Sequence, residues 1–253
     1  MGITCYTGFM SWSRRKLADH REAAKLLGKI KDETLDFVRD HPQTSELEVQ
    51  HFVLKKFGQY KLKNEIGKPI VAFRENTAFV HYYPKNSSNK QLKKDSLILL
   101  DVWARLQKQG APYADLTWMA WYGGRPPAEV RKAFSVVILA RSRALDFIKS
   151  HLRRPRLLTG RSIDSVTRGY VDGFYKGKFL HGTGHELGFY SPHGRGGRIN
   201  SRNEWPIKNS LVYTIEPGIY LKGKFGVRSE IDFYLENSKV FVTTDIQKSL
   251  TLV

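Results

Sequence analysis

At 253 residues, with 41% apolar and 12% aromatic side chains, the chain can fill a substantial core. It holds no run near the ~20 apolar residues of a membrane-spanning helix and no apolar core of a secretory signal near its start, so a cytoplasmic, membrane-free protein is expected. The single cysteine, Cys5, excludes an internal disulfide or a cysteine-based zinc site, and 42 Lys and Arg against 24 Asp and Glu give a formal net charge of +18. That charge raises nucleic acid or an acidic partner as a class. Its spread over nearly every segment, with the densest cluster (Arg153, Arg154, Arg156) broken by Pro155, fits a solvated basic surface better.

In chain order, residues 1–14 read as an N-terminal arm. Between Arg14 and Asp40, Ala23, Leu27, Ile30, Phe37 and Val38 fall on one helical face. After His41-Pro42, Ser45 and Glu48 make a capping-box pattern ahead of Val49, Phe52, Val53 and Phe57, which predicts a second helix. Runs rich in β-formers at Ile70 to Phe73, Ala78 to Tyr82 and Leu97 to Trp103 predict strands. Pro126-Pro127 opens a long helix carrying Val130, Phe134, Val137 and Ala144, and Ile163, Val166, Tyr170 and Phe174 mark another. Strands are expected again near Gly188 and over Leu211 to Ile219, Phe225 to Leu235 and Lys239 to Thr243. Two helices then strands, twice over, predicts an α+β chain with a structural duplication, in one domain over 1–253.

Chemistry concentrates in a few places. His181, His185 and His193 lie among glycines in HGTGHELGFYSPHG. That pattern alone also fits a glycine-rich turn with surface histidines. Glu216 sits inside the apolar run Val212 to Ile219, where a carboxylate costs several kcal/mol unless something pairs with it. Arg228, Glu230 and Asp232 alternate along one strand face, so an Arg228–Glu230 ion pair is the ordinary alternative there. Asp101 ends a strongly apolar strand, and Asp115 stands in YADLTW between aromatic neighbours. Clustered interior carboxylates repel one another and take up protons unless positive charge compensates them. Two divalent cations would balance Asp101, Asp115, Glu216 and Glu230, with His185 as a neutral nitrogen ligand. An oxygen-rich, thiol-free set suits Mn, Co, Fe or Zn.

These residues in order resemble the pita-bread metallopeptidases, the family of methionine aminopeptidases, aminopeptidase P, prolidases and creatinases. The ligand order Asp, Asp, His, Glu, Glu falls on Asp101 in LILLDVW, Asp115 in YADLTW, His185 in HGTGH, Glu216 in TIEPGIY and Glu230 in VRSEID. The resemblance implies the pita-bread fold: a curved antiparallel sheet flanked by helices, with pseudo-twofold duplication. It also implies two divalent metal ions, manganese first, with Co, Zn or Fe as alternatives, and hydrolysis of an N-terminal peptide bond by activated water without a covalent intermediate. Further, it implies that His81 in AFVHYY and His193 are catalytic, that Glu216 also shuttles a proton, and that His181 and Arg228 contact substrate. Arg228, two residues before the last glutamate, is similar to the arginine of the prolidase and aminopeptidase P branch, which points to Xaa-Pro substrates.

The chain also departs from the family pattern. Asp101 and Asp115 are fourteen residues apart, a wider gap than usual, which predicts a longer hairpin through Gln107 to Ala111. His193 follows His185 by eight residues, one more than usual, which requires a bulge to keep its side chain on the site face. Trp103 stands where relatives have glycine and is expected to bind substrate by narrowing the pocket. Prolidase and aminopeptidase P carry an additional N-terminal domain with no counterpart in these residues. The partners expected are a short peptide and, as one further option, a second copy in a homodimer. The competing reading is a non-catalytic pita-bread module binding nucleic acid or peptide through its basic surface; methionine aminopeptidase is a second enzymatic alternative.

Overall fold

A computed structural model describes residues 12–209 and 211–253. Most of the expected arm, Cys5 included, lies outside the described residues. Its end is built into the fold: Trp12 is buried against His20 and Phe189, and the Ser13 side chain caps the first helix by accepting from the Lys16 amide.

Helix α1 spans Arg14–Asp40 and α2 spans Glu46–Gln59, the latter with the Ser45/Glu48 capping box formed in both directions. Strands β1 (Leu62–Lys63), β2 (Ile70–Phe73), β3 (Ser96–Leu106), β4 (Tyr113–Tyr122) and the late β12 (Thr251–Leu252) make the first sheet. Helices α3 (Ala128–His151) and α4 (Gly160–Tyr175) follow. A second sheet has the order β11-β10-β7-β5-β6, from β5 (Gly184–Leu187), β6 (His193–Ile199), β7 (Val212–Ile215), β10 (Ile231–Glu236) and β11 (Lys239–Val242). Between them β8 (Gly218–Leu221) and β9 (Phe225–Arg228) pair with each other. Each half thus supplies a helix pair and most or all of a five-stranded sheet, the first completed by β12 from the chain's end, the duplicated arrangement the element order predicts. All pairings are antiparallel except β12 with β4. No helix among the described residues is long and apolar enough to cross a membrane.

Period-two alternation explains how β3 and β4 position the site. Ile98, Leu100, Val102 and Ala104, with Ala114, Leu116 and Ala120, join the core under α1 and α2. The odd-numbered residues Leu97, Leu99, Trp103, Tyr113, Met119 and Trp121 join the core under α3. Asp101, Asp115 and Thr117 share the odd-numbered face and are polar interruptions of it. β3 and β4 pair from Ser96↔Tyr122 to Arg105↔Tyr113, which leaves residues 107–112 as the enlarged loop the wide Asp101–Asp115 gap requires.

Five expectations are corrected. Ala78 to Tyr82 is not a strand: a 3-10 helix runs over Arg74–Ala78 and leads into a turn. Arg74 leaves β2 with φ 53, the Thr77 hydroxyl donates to the Arg74 carbonyl, and the Asn76 amide donates to the distant Glu46, so a turn and a tertiary contact together outcompete a ladder. The run Val212 to Ile219 is two strands broken at Glu216-Pro217, and Phe225 to Leu235 is broken at Ser229-Glu230. The Ser229 amide donates to the Pro217 carbonyl, so the two breaks hold each other. Because the strand is interrupted, Arg228, Glu230 and Asp232 do not form one continuous face, and Arg228 pairs with Asp101 rather than Glu230. Asp101 lies in the middle of β3, not at its end.

Candidate metal centre

The two strand breaks face the polar patch of β3 and β4. Asp101, Asp115, His185, Glu216 and Glu230 line one cavity of about 70 Å3, together with His81, His193, Arg228 and Trp103. His181 lies in the adjoining cavity of about 150 Å3, which shares His81, His185, His193, Glu216 and Arg228 and adds Gly182, Arg198 and Asn200. Every candidate site residue from the sequence therefore borders one continuous depression. A larger concavity of about 610 Å3 beside Trp205 and Tyr213 offers a single carboxylate, Glu186, so size does not identify the site.

Among the described residues, Asp115, His185 and Glu230 each offer a ligand atom within 4.8 Å of the others, and all three are buried. His185 Nε2 lies 3.4 Å from Glu216 Oε1 and 3.9 Å from Asp115 Oδ2. Its Nδ1 is 3.0 Å from the Glu186 carbonyl, which only accepts; Nδ1 therefore carries the proton and the Nε2 lone pair faces the carboxylates. Burial lowers the His185 pKa to about 3, so the ring is neutral and able to ligate. β5 reaches this position because Gly184 packs directly on β7: a Cβ there would lie 2.0 Å from the Thr214 carbonyl oxygen.

Asp101 is in a different state. Its Oδ2 accepts from Arg228 Nη2, while Arg228 Nε donates to Thr117 Oγ1 at 3.0 Å and Nη1 to the Val80 carbonyl at 3.4 Å. Thr117 Oγ1 in turn donates to Glu230 Oε2 at 2.8 Å, and the Asp115 amide donates to Asp232 Oδ2 at 2.9 Å. Arg228 thus acts on Asp101, Glu230 and Glu216, beside two further buried acids, Asp115 and Asp232.

The electrostatics follow from that imbalance. Desolvation, then repulsion from Glu230 and Asp101, pushes the Asp115 carboxyl well above its ordinary range. Desolvation, then Glu216 and Asp101, does the same to Glu230. Burial pushes Glu216 up to about 7 against the pull of Arg228, and it pushes Asp101 up against the same guanidinium. Asp115 Oδ1 is buried with no hydrogen-bond partner. An unpartnered buried carboxylate oxygen, a histidine lone pair turned toward it and several mutually repelling acids fit divalent cations, as hard oxygen-rich sites require.

His193 reaches the site through a register shift between His185 and Leu187 in the β5–β6 ladder, the irregularity its spacing demands, and its ring centroid lies 4.2 Å from that of His185. His81 stands on the turn after the 3-10 helix, and burial followed by Arg228 lowers its pKa. His181 keeps its proton on Nδ1, toward the Gly182 carbonyl, and takes a hydrogen bond from the Tyr220 hydroxyl at 2.7 Å on Nε2; burial lowers its pKa to about 3.

Sequence reasoning missed several supports. Thr117 and Asp232 carry no local signal beyond lying two residues from Asp115 and Glu230. Asp164 on α4 accepts from the Thr183 amide and hydroxyl, and Arg168 donates to the Phe179 and His181 carbonyls, which pins the HGTGH segment to α4. The spacing of Asp164 and Arg168, one helical turn apart, was the available clue. Arg198 and Asn200 border the open end of the site from the strand after His193.

The profile of metallopeptidase family M24 matches residues 18–237. A probable Xaa-Pro aminopeptidase P of Laccaria bicolor is 33% identical over 165 residues, covering 61% of this chain and 23% of that protein. The crystal structure of X-Pro aminopeptidase from Thermotoga maritima superposes with a TM-score of 0.83 at 26% identity, covering 96% of this chain and 65% of that one. Xaa-Pro dipeptidase from Bacillus anthracis gives a TM-score of 0.82 at 25% identity, over 96% and 64%. The chain spans less than two thirds of the length of each of these relatives.

Proposed function

Because the chain belongs to metallopeptidase family M24, we propose that it hydrolyses the N-terminal bond of short Xaa-Pro peptides with two divalent cations, manganese first. The observation that carries this reading is the buried carboxylate cluster around His185, in which Arg228 pairs with Asp101 and Asp115 Oδ1 has no partner among the described residues. Asp101, Asp115, His185, Glu216 and Glu230 would hold the ions. Cations bound there acidify water and polarise a carbonyl.

The remaining work falls to side chains of this chain. His81 and His193, which line the same cavity as the carboxylates, are neutral donors able to stabilise charge that develops on the peptide oxygen only in the transition state. Glu216, whose Oε1 also accepts from Thr214 at 3.2 Å, sits beside His185 and can take a proton from water and return it to the leaving amine. His181, fixed by Tyr220, and Arg228 shape the side on which the residue after the cleaved bond lies. The burial of Asp101 and Glu230, at 7% and 3% exposure, keeps bulk water from competing for the ligands.

The test is a metal screen of chelator-stripped protein against Ala-Pro, Ala-Pro-Ala and Met-Ala-Ser. Turnover of either proline peptide, with Met-Ala-Ser resistant, is expected, and the two proline peptides separate dipeptidase from aminopeptidase. Preference for Met-Ala-Ser would replace the proline-directed reading with methionine aminopeptidase. No turnover with any metal would remove the enzymatic reading.

A further inference from the structure

We propose that Trp103 confines the substrate's N-terminal residue to glycine, alanine or serine. This rests on the peptidase reading above and adds the class of peptide it selects.

Trp103 follows Asp101 by two residues on the same face of β3 and is the ladder partner of Asp115, so its indole stands beside both aspartates. Ile70, the ladder partner of Asp101, together with Tyr83 and Pro192, completes an apolar wall around that end of the cavity. The indole is fixed rather than free to swing. Its Nε1 donates to the Ile66 carbonyl at 2.9 Å, and the ring rests on Gly67, where φ is +76 and an added Cβ would lie 3.0 Å from the ring. Trp103 is 6% exposed, and closing a turn of backbone onto the ring leaves no alternative rotamer without breaking that packing.

The two ends of the site differ in size and character. The aspartate end, walled by Trp103, encloses about 70 Å3 that the five proposed ligands also line, so cations held there leave little of it for a side chain, and the end bordered by Arg198, Asn200 and Gly182 encloses about 150 Å3. A peptide whose scissile carbonyl lies among the shared residues His81, His193 and Glu216 must send its first residue to one end and the remainder to the other. The remainder is longer and ends in a carboxylate, which suits the larger end with its arginine. The first residue is left with the end walled by Trp103, Ile70, Tyr83 and Pro192, where each further carbon must displace well-packed side chains.

The experiment compares kcat/KM for Ala-Pro-Ala, Leu-Pro-Ala and Phe-Pro-Ala on metal-loaded protein, with a matched Xaa-Ala-Ala series should proline not be required. Alanine should exceed leucine and phenylalanine by at least about tenfold, the range a few extra carbons command in a shaped pocket. In W103A the leucine-to-alanine ratio should rise by at least about tenfold, and W103F, which keeps most of the packing, should fall between. Equal rates for the three peptides in the unmodified protein overturn the proposal and leave the peptidase reading standing. So does an unchanged ratio in folded W103A and W103F. Cleavage of no peptide in either series removes both.

Discussion

Replacing Thr117 by valine isolates the one hydroxyl that joins Arg228 to Glu230. The substitution keeps the shape of the side chain and changes only its polarity, inside a site that is 1% exposed at this residue. Two hydrogen bonds disappear: the 3.0 Å bond from Arg228 Nε and the 2.8 Å bond to Glu230 Oε2. The bond from the charged Arg228 is typically worth about 1.5 to 3 kcal/mol and the bond to the Glu230 carboxyl, which burial and its acidic neighbours bias toward the protonated form, about 0.5 to 1.5 kcal/mol, and both partners stay buried and cannot recruit bulk water. A loss of about 2 kcal/mol in unfolding free energy, measured by urea titration in chelator, is the lower end of that sum. Because Glu230 is expected to be a ligand of the cations, releasing its other contact should also weaken metal binding by roughly 10- to 100-fold in calorimetric titration with manganese. T117S, which returns the hydroxyl, should recover most of both effects. If T117V matches the parent protein within about 0.5 kcal/mol, the scale of an ordinary surface change, the hydroxyl is not what couples these groups.

Two further outcomes are expected. E230Q removes a buried charge that Glu216 and Asp101 repel, together with a ligand; its melting temperature in chelator should equal or exceed that of the parent, while the rise on adding manganese should shrink, and equal rises in the two proteins would contradict the ligand assignment. His20, fully buried between the Tyr113 carbonyl and the Thr243 hydroxyl, has its pKa lowered by desolvation from 6.5 to about 4, so the unfolded chain binds the extra proton between those values. Stability should therefore hold above pH 6.5, fall as pH drops toward 4 and level off below that, with a loss of about 2 kcal/mol by pH 5 at about 1.4 kcal/mol per unit. Urea titrations of the parent and H20Q at pH 7.5 and pH 5 check this, and equal losses in both would assign the acid sensitivity to other groups.

How much was readable from the residues alone depends on how local each determinant is. The helices Arg14–Asp40 and Glu46–Gln59 follow from apolar spacing and a capping box, both encoded within a few turns of chain, and the structure places them there. The alternation in β3 likewise sets Asp101 and Trp103 on one face without reference to any partner. Glutamates inside apolar runs announced buried charge, but not that each run would break at that residue. Those breaks depend on contact between Pro217 and Ser229, and between the 3-10 helix and β9, where the Gly226 amide meets the Thr77 hydroxyl. Ala78 to Tyr82 misled for the same reason, since its β-forming composition was overridden by Asn76 reaching Glu46.

The sequence by itself determined the helices, the faces of the long strands and the kinds of atom available to hold a cation. Only the tertiary structure decided which groups meet: Arg228 with Asp101, Thr117 with Glu230, Asp232 with the Asp115 amide, and Asp164 with the segment before His185. The physical reason is separation along the chain. Thr117 and Glu230 are 113 residues apart, and a hydrogen bond across that distance leaves no periodicity for sequence reading to detect. It exists because two sheets, each built from local rules, bury their polar interruptions against one another.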